Sequence, residues 1–298
     1  MKSGPVICFG EVLWDMLPNG PKPGGAPMNV AIHLKQQGQN PILISKVGND
    51  AEGTELLQFL KTSELNTDFI KTDPNLPTSK VLVLLDNSKN ATYEICEPVA
   101  WDNIHFAELN KDILSKANLI IFGSLASRNQ TTRETLFKIL GQSKALRLCD
   151  VNLRPPYDKK EVIEALLKRS DFIKLNDDEL KVITGWKDKN GNEKELIMWI
   201  SENYNCASIC VTRGKNGAIF YYQEQFYEHP GFKVKAVDTV GAGDSFLASL
   251  VSGLMKNYSP HQALENACAT GSFVASVAGA VPVYTPLDIE TIKKSAKK

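Results

Sequence analysis

The sequence lacks the features that mark metal-binding, nucleic-acid-binding and membrane proteins. Its six cysteines include no C-x-x-C pair, and its four histidines have no spacing typical of metal ligands. Lysine plus arginine and aspartate plus glutamate both number 34, so no net charge favours nucleic acid or an anionic membrane surface. No 18-residue apolar run occurs, and residues 1–9 lack the basic and apolar segments of a signal peptide. We therefore expect a cytoplasmic protein with reduced thiols that has no nucleic-acid or membrane partner.

What the sequence does contain is a regular alternation of short apolar runs and amphipathic segments over its 298 residues. The runs that we expect as buried strands are 6–9, 41–47, 119–122, 146–151, 172–175 and 207–212, followed by an antiparallel hairpin at 218–222 and 225–229. The segments that we expect as helices are 29–37, 52–63, 133–142, 159–168, 177–184 and 195–203. This alternation predicts a single α/β domain over residues 1–298, with a Rossmann-like three-layer α/β/α core and a mostly parallel central sheet. Ligands of such sheets bind beyond the carboxyl ends of the strands.

One part of the chain departs from this alternation, because its strand-like segments have no helix between them. Residues 80–86 and 91–97 flank Asn87–Asn90, a plausible hairpin turn. Absence of an intervening helix predicts a small sheet apart from the main one.

The same small sheet is expected to include an earlier segment. Residues 12–17 are extended and precede a Pro/Gly-rich loop at 18–25. We therefore predict a small β-sheet lid formed by residues 12–24 and 79–98.

The most informative motif is Asp-Thr-Val-Gly-Ala-Gly-Asp at residues 238–244. Gly241, Ala242 and Gly243 leave backbone N–H groups bare just before an apolar helical run. A glycine-rich approach to a helix N-terminus binds anions, because the first N–H groups lack partners and carry positive partial charge. Asp244 lies at that predicted anion site. Its carboxylate either caps the helix or accepts a proton from a hydroxyl that attacks phosphorus.

Two other nucleotide-binding motifs do not fit. The dinucleotide motif G-x-G-x-x-G needs a glycine where Phe246 stands, and this segment lies far from the opening strand of the chain. The P-loop pattern G-x-x-x-x-G-K-[ST] does not occur in the sequence. An NAD-linked oxidoreductase is therefore disfavoured, and a P-loop enzyme is excluded.

Four elements of the sequence resemble signatures of the ribokinase/PfkB carbohydrate kinases, in the family's order and over nearly the whole chain. Residues 238–244 resemble the family's D-T-x-G-A-G-D signature, and residues 24–38 resemble its first signature. Residues 176–179 are similar to its N-x-x-E element, and residues 212–217 are similar to its T-x-G-x-x-G nucleotide loop. The segments 10–18 and 150–156 look most like fructokinases, although 2-keto-3-deoxygluconate kinases share the D-x-N-x-R pattern of the second.

The resemblance implies a ribokinase-like fold and an ATP-dependent sugar kinase that uses Mg²⁺ and K⁺. Asp244 is then the general base, and Arg154 stabilises charge beside the anion hole of Gly241, Ala242 and Gly243. The implied sugar contacts are Asp15, Gly24, Gly25, Asn29 and Asp244. The implied nucleotide contacts are Asn176, Thr212, Gly214, Gly217, Gly241, Gly243 and Asn266. The implied metal contacts are Glu179, through water, for Mg²⁺, and Asp238, Val240 and Gly279 for K⁺.

Some of these residues also have a simple structural interpretation. Asn176 can cap a helix, Arg154 can be a surface arginine, and Gly24 with Gly25 can be only a flexible turn. Lys46 follows a predicted strand and is expected to be solvated.

Three functions remain open from the sequence. The first is phosphorylation of fructose to fructose 6-phosphate. The second is a kinase of the same family that acts on 2-keto-3-deoxygluconate, ribose or a nucleoside. The third is a non-catalytic sugar- or nucleotide-binding protein, which the intact Asp244 and glycine loop argue against. An exposed lid could also pair with a second copy as a homodimer, because uncovered sheet edges seek partners.

Overall fold

The fold was analysed in a computed structural model that describes residues 4–18, 20–85 and 91–295. The strands are β1 Val6–Phe9, β2 Leu13–Leu17, β3 Gly20–Gly24, β4 Pro41–Gly48, β5 Ile70–Asp73, β6 Ser79–Leu85, β7 Ala91–Ile95, β8 Leu119–Gly123, β9 Leu146–Asp150, β10 Phe172–Asn176, β11 Ser208–Thr212, β12 Ala218–Tyr222 and β13 Gln225–His229. The helices are α1 Ala26–Gln36, α2 Ala51–Thr62, α3 Lys111–Lys116, α4 Gln130–Gln142, α5 Lys160–Leu167, α6 Asp177–Gly185, α7 Glu193–Tyr204, α8 Ala242–Met255, α9 Pro260–Ala275 and α10 Pro286–Ser295. The predicted turn at 87–90 lies outside the described residues.

The main sheet has nine strands in the order β13-β12-β11-β10-β9-β8-β1-β4-β5. Strand β1 lies between β4 and β8 and is parallel to both, with Phe9 opposite Ile44 and Phe122. The hairpin of β12 and β13 joins β11 with antiparallel pairing. The predicted mostly parallel sheet and its antiparallel extension are confirmed.

Helices cover both faces of this sheet, because alternate residues of each buried strand point to opposite faces. Val6 and Cys8 pack in the cluster that contains α1, α8 and α9, whereas Ile7 and Phe9 pack in the cluster of α4 to α7. Every residue of α8 from Ser245 to Met255 is buried. The three-layer α/β/α prediction is therefore confirmed.

The small sheet consists of four strands in the order β3-β2-β6-β7 and is mixed. Strand β2 is antiparallel to β3 and parallel to β6. The predicted loop at 18–25 was wrong in part, since residues 20–24 form β3 with Leu13 opposite Gly24. Its prolines suggested a loop, but β3 is an edge strand, where a missing N–H removes no ladder hydrogen bond.

Lys46 is buried rather than solvated, so that prediction was wrong. It lies in β4, whose eight residues are all buried, and only 4% of its surface is exposed. Its Nζ lies 3.2 Å from Asp73 and 3.1 Å from Glu108, and it donates to the carbonyl of Asn103 at 3.0 Å. Burial alone would raise the pKa of Asp73, but hydrogen bonds from Asn103 and Lys46, among others, hold it well below its usual range. Tertiary pairing thus makes a buried lysine tolerable.

No helix within the described ranges combines the length and the apolar character needed to cross a bilayer.

The ion pair of Lys46 predicts a specific loss of stability. Lys46→Met leaves Asp73 buried without its cation, so we expect the free energy of unfolding to fall by about 3 kcal/mol. The control Lys181→Met removes an exposed partner of Asp178 and should change stability little. Urea denaturation of both variants measures this, and equal stabilities would contradict the role of Lys46.

Candidate active site

Several of the predicted site residues, Asn29 and Asp244 among them, lie close together around the start of α8. Asp244, in the first turn of α8, accepts a hydrogen bond from Nδ2 of Asn29 in α1 at 2.8 Å. These two residues are 215 positions apart in sequence. The fold therefore joins the first and last predicted signatures in one place.

The anion hole is shaped by backbone conformation. Gly241 is the N-cap of α8 with φ of 78°, and no described side chain caps this helix. A Cβ on Gly241 would lie 2.3 Å from the carbonyl oxygen of Ala280, so only glycine fits there. The first N–H groups of α8 are thus left without a side-chain acceptor, as anion binding requires.

Asp244 does not act as the helix cap. Its carboxylate is half-buried and bonds to the Asn29 side chain instead. Burial and the nearby negative charge of Asp150 raise the pKa of Asp244 to about 6, although Asn29, Lys174 and Arg154 oppose the shift. A carboxylate with this pKa is ionised at neutral pH yet basic enough to take up a proton.

The sugar side of the predicted site is also assembled. A Cβ on Gly24 would lie 2.4 Å from Oδ2 of Asp15, so the bare backbone makes room for that carboxylate. Gly25 has φ of 116°, and a Cβ on it would lie 2.5 Å from the carbonyl oxygen of Glu11. Asn29 is 4% exposed, and its Oδ1 has no hydrogen-bond partner among the described residues. An unpaired buried acceptor of this kind suits a ligand hydroxyl.

Glu11 belongs to this region although its sequence context did not single it out. It is 3% exposed and keeps Oε2 without a partner among the described residues. Burial raises its pKa to about 7, with Asp244 adding to the shift and Arg154 opposing it. The available signal was a carboxylate two residues after a buried strand.

Asn176 and Glu179 form a reciprocal capping box at the start of α6, so the capping interpretation of Asn176 holds. Oδ1 of Asn176 accepts from the N–H of Glu179 at 2.8 Å. Glu179 accepts from the N–H groups of Asn176 and Leu153 at 2.9 and 2.8 Å. Burial and the charge of Asp150 raise its pKa. A phosphate contact for Asn176 stays a prediction.

Arg154 is exposed, and its side chain donates to the carbonyl of Leu153 at 3.1 Å. No carboxylate of the described chain forms an ion pair with it. Its charge nevertheless acts on Asp15, Glu11 and Asp244, since it lowers the pKa of each carboxyl group against their burial. Arg154 is therefore positioned at the rim of the site with its guanidinium available.

The predicted nucleotide loop connects β11 to β12. Thr212 ends β11, a short 3₁₀ turn spans Gly214–Asn216, and Gly217 precedes β12. Gly217 has φ of 79° and lies where a Cβ would meet the His229 carbonyl oxygen at 1.9 Å. The loop thus presents backbone rather than side chains at this point.

Asn266 lies elsewhere. It lines a cavity of about 320 Å³ together with Gln37 from the end of α1 and Lys256 after α8. Asp244 lies at the opposite end of α8 from Lys256. A contact between Asn266 and adenine therefore stays a prediction.

The predicted cation residues are close to one another. Asp238 accepts hydrogen bonds from the N–H of Val240 at 3.0 Å and from the N–H of Gly279 at 3.1 Å. Carboxylate and backbone carbonyl oxygens of such a turn are ligands that suit a monovalent cation. No three His, Cys, Asp or Glu side chains in the described ranges form a metal cage. Each carboxylate oxygen of Glu179 accepts one backbone N–H and keeps a lone pair for a water molecule. Glu179 therefore fits an outer contact to hydrated Mg²⁺.

Asp150 and Lys174 form a buried ion pair in the same region that the sequence did not reveal. Nζ of Lys174 lies 2.9 Å from both carboxylate oxygens of Asp150. Asp150 ends β9 and lies opposite Lys174 in the middle of β10, so only the sheet brings them together.

Comparison with known proteins agrees with this arrangement. The model of the pfkB family carbohydrate kinases matches residues 20–286. Probable fructokinase-5 of Arabidopsis thaliana is 29% identical over 98% of this chain and 98% of its own length. Fructokinase-2 of Solanum habrochaites is 30% identical over 94% of this chain and 93% of its own. A fructokinase double mutant from Vibrio cholerae O395, in its fructose-, ADP- and potassium-bound form, shares the fold with a TM-score of 0.85 at 23% identity over 98% of each chain.

The fold and the site thus define a sugar kinase, an enzyme that transfers a phosphoryl group from ATP to a sugar hydroxyl. The chain belongs to the pfkB family of carbohydrate kinases. The family predicted from the sequence motifs is confirmed.

The conformation of Gly241 gives a prediction about the anion hole. Gly241→Ala forces a left-handed φ on alanine and a clash with the Ala280 carbonyl, so we expect a loss of about 2 kcal/mol in unfolding free energy and weaker ATP binding. The control Gly141→Ala, in α4 with nothing within 4 Å, should raise stability by about 0.5–1 kcal/mol. Thermal unfolding and calorimetric ATP titration measure both, and wild-type ATP affinity in Gly241→Ala would rule out this shape requirement.

Proposed function

We propose that this protein phosphorylates fructose at a primary hydroxyl, with ATP as the donor, to give fructose 6-phosphate and ADP. The observation that carries the proposal is the Asp244 carboxylate, held by Asn29 beside the uncapped start of α8. Relatives named fructokinase, at 29% and 30% identity over nearly the whole chain, support the choice of sugar.

Asp244 acts as the general base in this proposal. As the sugar oxygen attacks the γ-phosphorus, an O–P bond forms, the bond between that phosphorus and the β–γ bridging oxygen breaks, and ADP leaves. The hydroxyl proton passes to the Asp244 carboxylate. The raised pKa of about 6 favours this uptake over that by an ordinary aspartate. The N–H groups of Gly241 to Gly243 stabilise the negative charge on the phosphoryl oxygens.

The sugar is oriented by the residues opposite the anion hole. Oδ1 of Asn29, which lacks a described partner, accepts from one hydroxyl while Nδ2 stays on Asp244. The Asp15 carboxylate, over the bare backbone of Gly24, accepts from others. This places one hydroxyl in reach of Asp244 and fixes the rest of the ring.

Two cations complete the proposal. Mg²⁺, when bound, would neutralise negative charge on the phosphates. Glu179 would hold its hydration shell, and Asp238, Val240 and Gly279 would hold K⁺ near the start of α8, where the N–H groups of Val240 and Gly279 donate to the Asp238 carboxylate. The Vibrio cholerae fructokinase with fructose, ADP and a potassium ion supports this assignment.

The small sheet serves as a lid over the sugar. Asp15 projects from β2, so the lid itself supplies a sugar contact. Nε1 of Trp14 donates to the carbonyl of Glu52 in α2 at 3.0 Å and ties β2 to the main body. A lid at this position excludes water from the transferring phosphoryl group and limits ATP hydrolysis.

Six free cysteines suit the reducing cytoplasm as the place of this reaction.

A second candidate is phosphorylation of 2-keto-3-deoxygluconate, which Arg154 favours. Its guanidinium is exposed at the rim and has no carboxylate partner among the described residues, so it could bind a substrate carboxylate. A neutral sugar does not need such a contact.

A substrate panel distinguishes these functions. We expect the highest kcat/KM for fructose when fructose, ribose, 2-keto-3-deoxygluconate and a nucleoside are compared by ADP release. Arg154→Met should then lower the value for fructose far less than the value for the acid. Preference for the acid, lost in Arg154→Met, would replace the proposal with the second candidate, and no turnover with any acceptor would support a binding protein.

The role of Asp244 predicts both a variant effect and a pH dependence. Asp244→Asn removes the proton acceptor, so kcat should fall by roughly 10²–10⁴ while ATP still binds. In the wild type, kcat/KM should decrease as the pH falls through about 6, because protonated Asp244 cannot accept a proton. Asp178→Asn, on the exposed start of α6, serves as the control and should leave kcat unchanged. Steady-state turnover measures both, and wild-type kcat in Asp244→Asn would refute the assignment.

A further inference from the structure

Lys174 is a buried cation that the mechanism above does not use. It lies in the middle of β10 and is 7% exposed, and its partner Asp150, at the end of β9, is 4% exposed. Burying two charges costs desolvation free energy that apolar residues of similar volume would avoid. Stability alone is therefore a poor explanation for this pair.

The ammonium group lies beside the predicted anion hole. Nζ of Lys174 lies 3.4 Å from the position that a Cβ on Gly243 would occupy. The missing side chain at Gly243 thus leaves no side-chain atom between the ammonium and the backbone of the proposed phosphate-binding loop. No other lysine or arginine in the described ranges is within 4 Å of such a position on Gly243.

The hydrogen bonds of Lys174 leave one donor over. An ammonium group has three N–H donors, and two of them bond to the oxygens of Asp150 at 2.9 Å each. Among the residues that the structure describes, nothing accepts the third. A bound phosphate oxygen at Gly243 would provide this acceptor.

We propose that Lys174, oriented by Asp150, is a further phosphate-contacting residue that donates its third N–H to the terminal phosphate of the nucleotide at Gly241–Gly243. The inference rests on the proposed function, because it takes the anion of this loop to be the terminal phosphate of ATP.

The partner Asp150 explains how a lysine can work here. Burial alone would lower the pKa of Lys174, but the Asp150 carboxylate more than offsets this, so the pKa stays above its usual value and the ammonium stays charged. Two hydrogen bonds to one carboxylate also fix the direction of the third donor. The pair connects the loop that carries Arg154 with the strand end that carries Asn176.

The test removes the pair without leaving an unpaired charge. The double variant Lys174→Met/Asp150→Asn is compared with Arg147→Met/Asp171→Asn, which removes an ion pair from the amino ends of the same two strands. Calorimetry gives the Kd of a non-hydrolysable ATP analogue and of ADP. We expect the Lys174 variant to bind the analogue about tenfold more weakly, to keep its ADP affinity, and to lose about 10² in kcat. The Arg147 variant should match the wild type in all three.

A second variant, Lys174→Gln/Asp150→Asn, keeps a neutral hydrogen bond between the two side chains in case the first does not fold. It should show the same selective loss of analogue affinity. An unchanged ratio of the two Kd values together with wild-type kcat in a folded variant would overturn this proposal alone. A wild-type chain that binds neither nucleotide would overturn the proposed function and this inference with it. The ratio of Kd values is informative whichever sugar the enzyme prefers.

Discussion

The active site depends on how buried negative charge is balanced at one edge of the main sheet. Glu11, Asp150, Glu179 and Asp244 all lie there, within reach of the starts of α1, α6 and α8. Backbone N–H groups and Asn29 donate hydrogen bonds to these carboxylates, and Lys174 adds one positive charge, yet burial raises the pKa of three of the four. The helix N-termini supply the positive partial charge that makes this crowding possible. The same N–H groups at α8 then remain available for a phosphate.

The fold meets this constraint by bringing elements close without side chains between them. Gly241 lies against the carbonyl of Ala280, and Gly271 of α9 lies against that of Ala242, where a Cβ would approach to 3.2 Å. Burial lowers the pKa of His33 to about 4, so its ring is neutral at pH 7. Because a carbonyl oxygen can only accept, the proton is on Nε2, which donates to the Ala280 carbonyl at 3.0 Å. The anion hole is therefore held from behind by α1 and α9. Its shape is part of the core rather than of a free loop.

The elements that follow from one local rule match their prediction from the sequence. Buried parallel strands read as short apolar runs, so β1 and β8 were predicted almost to the residue. Two local predictions were wrong because tertiary neighbours override what the composition of the segment suggests. The Pro/Gly-rich residues 20–24 form a strand because β2 offers them a partner at a sheet edge, and Lys46 is buried because Asp73 and Glu108 reach it. Neither partner is visible from local sequence.

The sequence by itself determined the layered fold, the glycine-rich start of α8 and the chemical class of the site, because spacing and residue type fix helix starts and strand periodicity. Tertiary structure alone decided which charges share that site. The contact of Asn29 with Asp244 spans 215 positions, and the Asp150–Lys174 pair joins adjacent strands separated by a helix. Such pairings depend on strand order and register, which arise only when the whole sheet assembles.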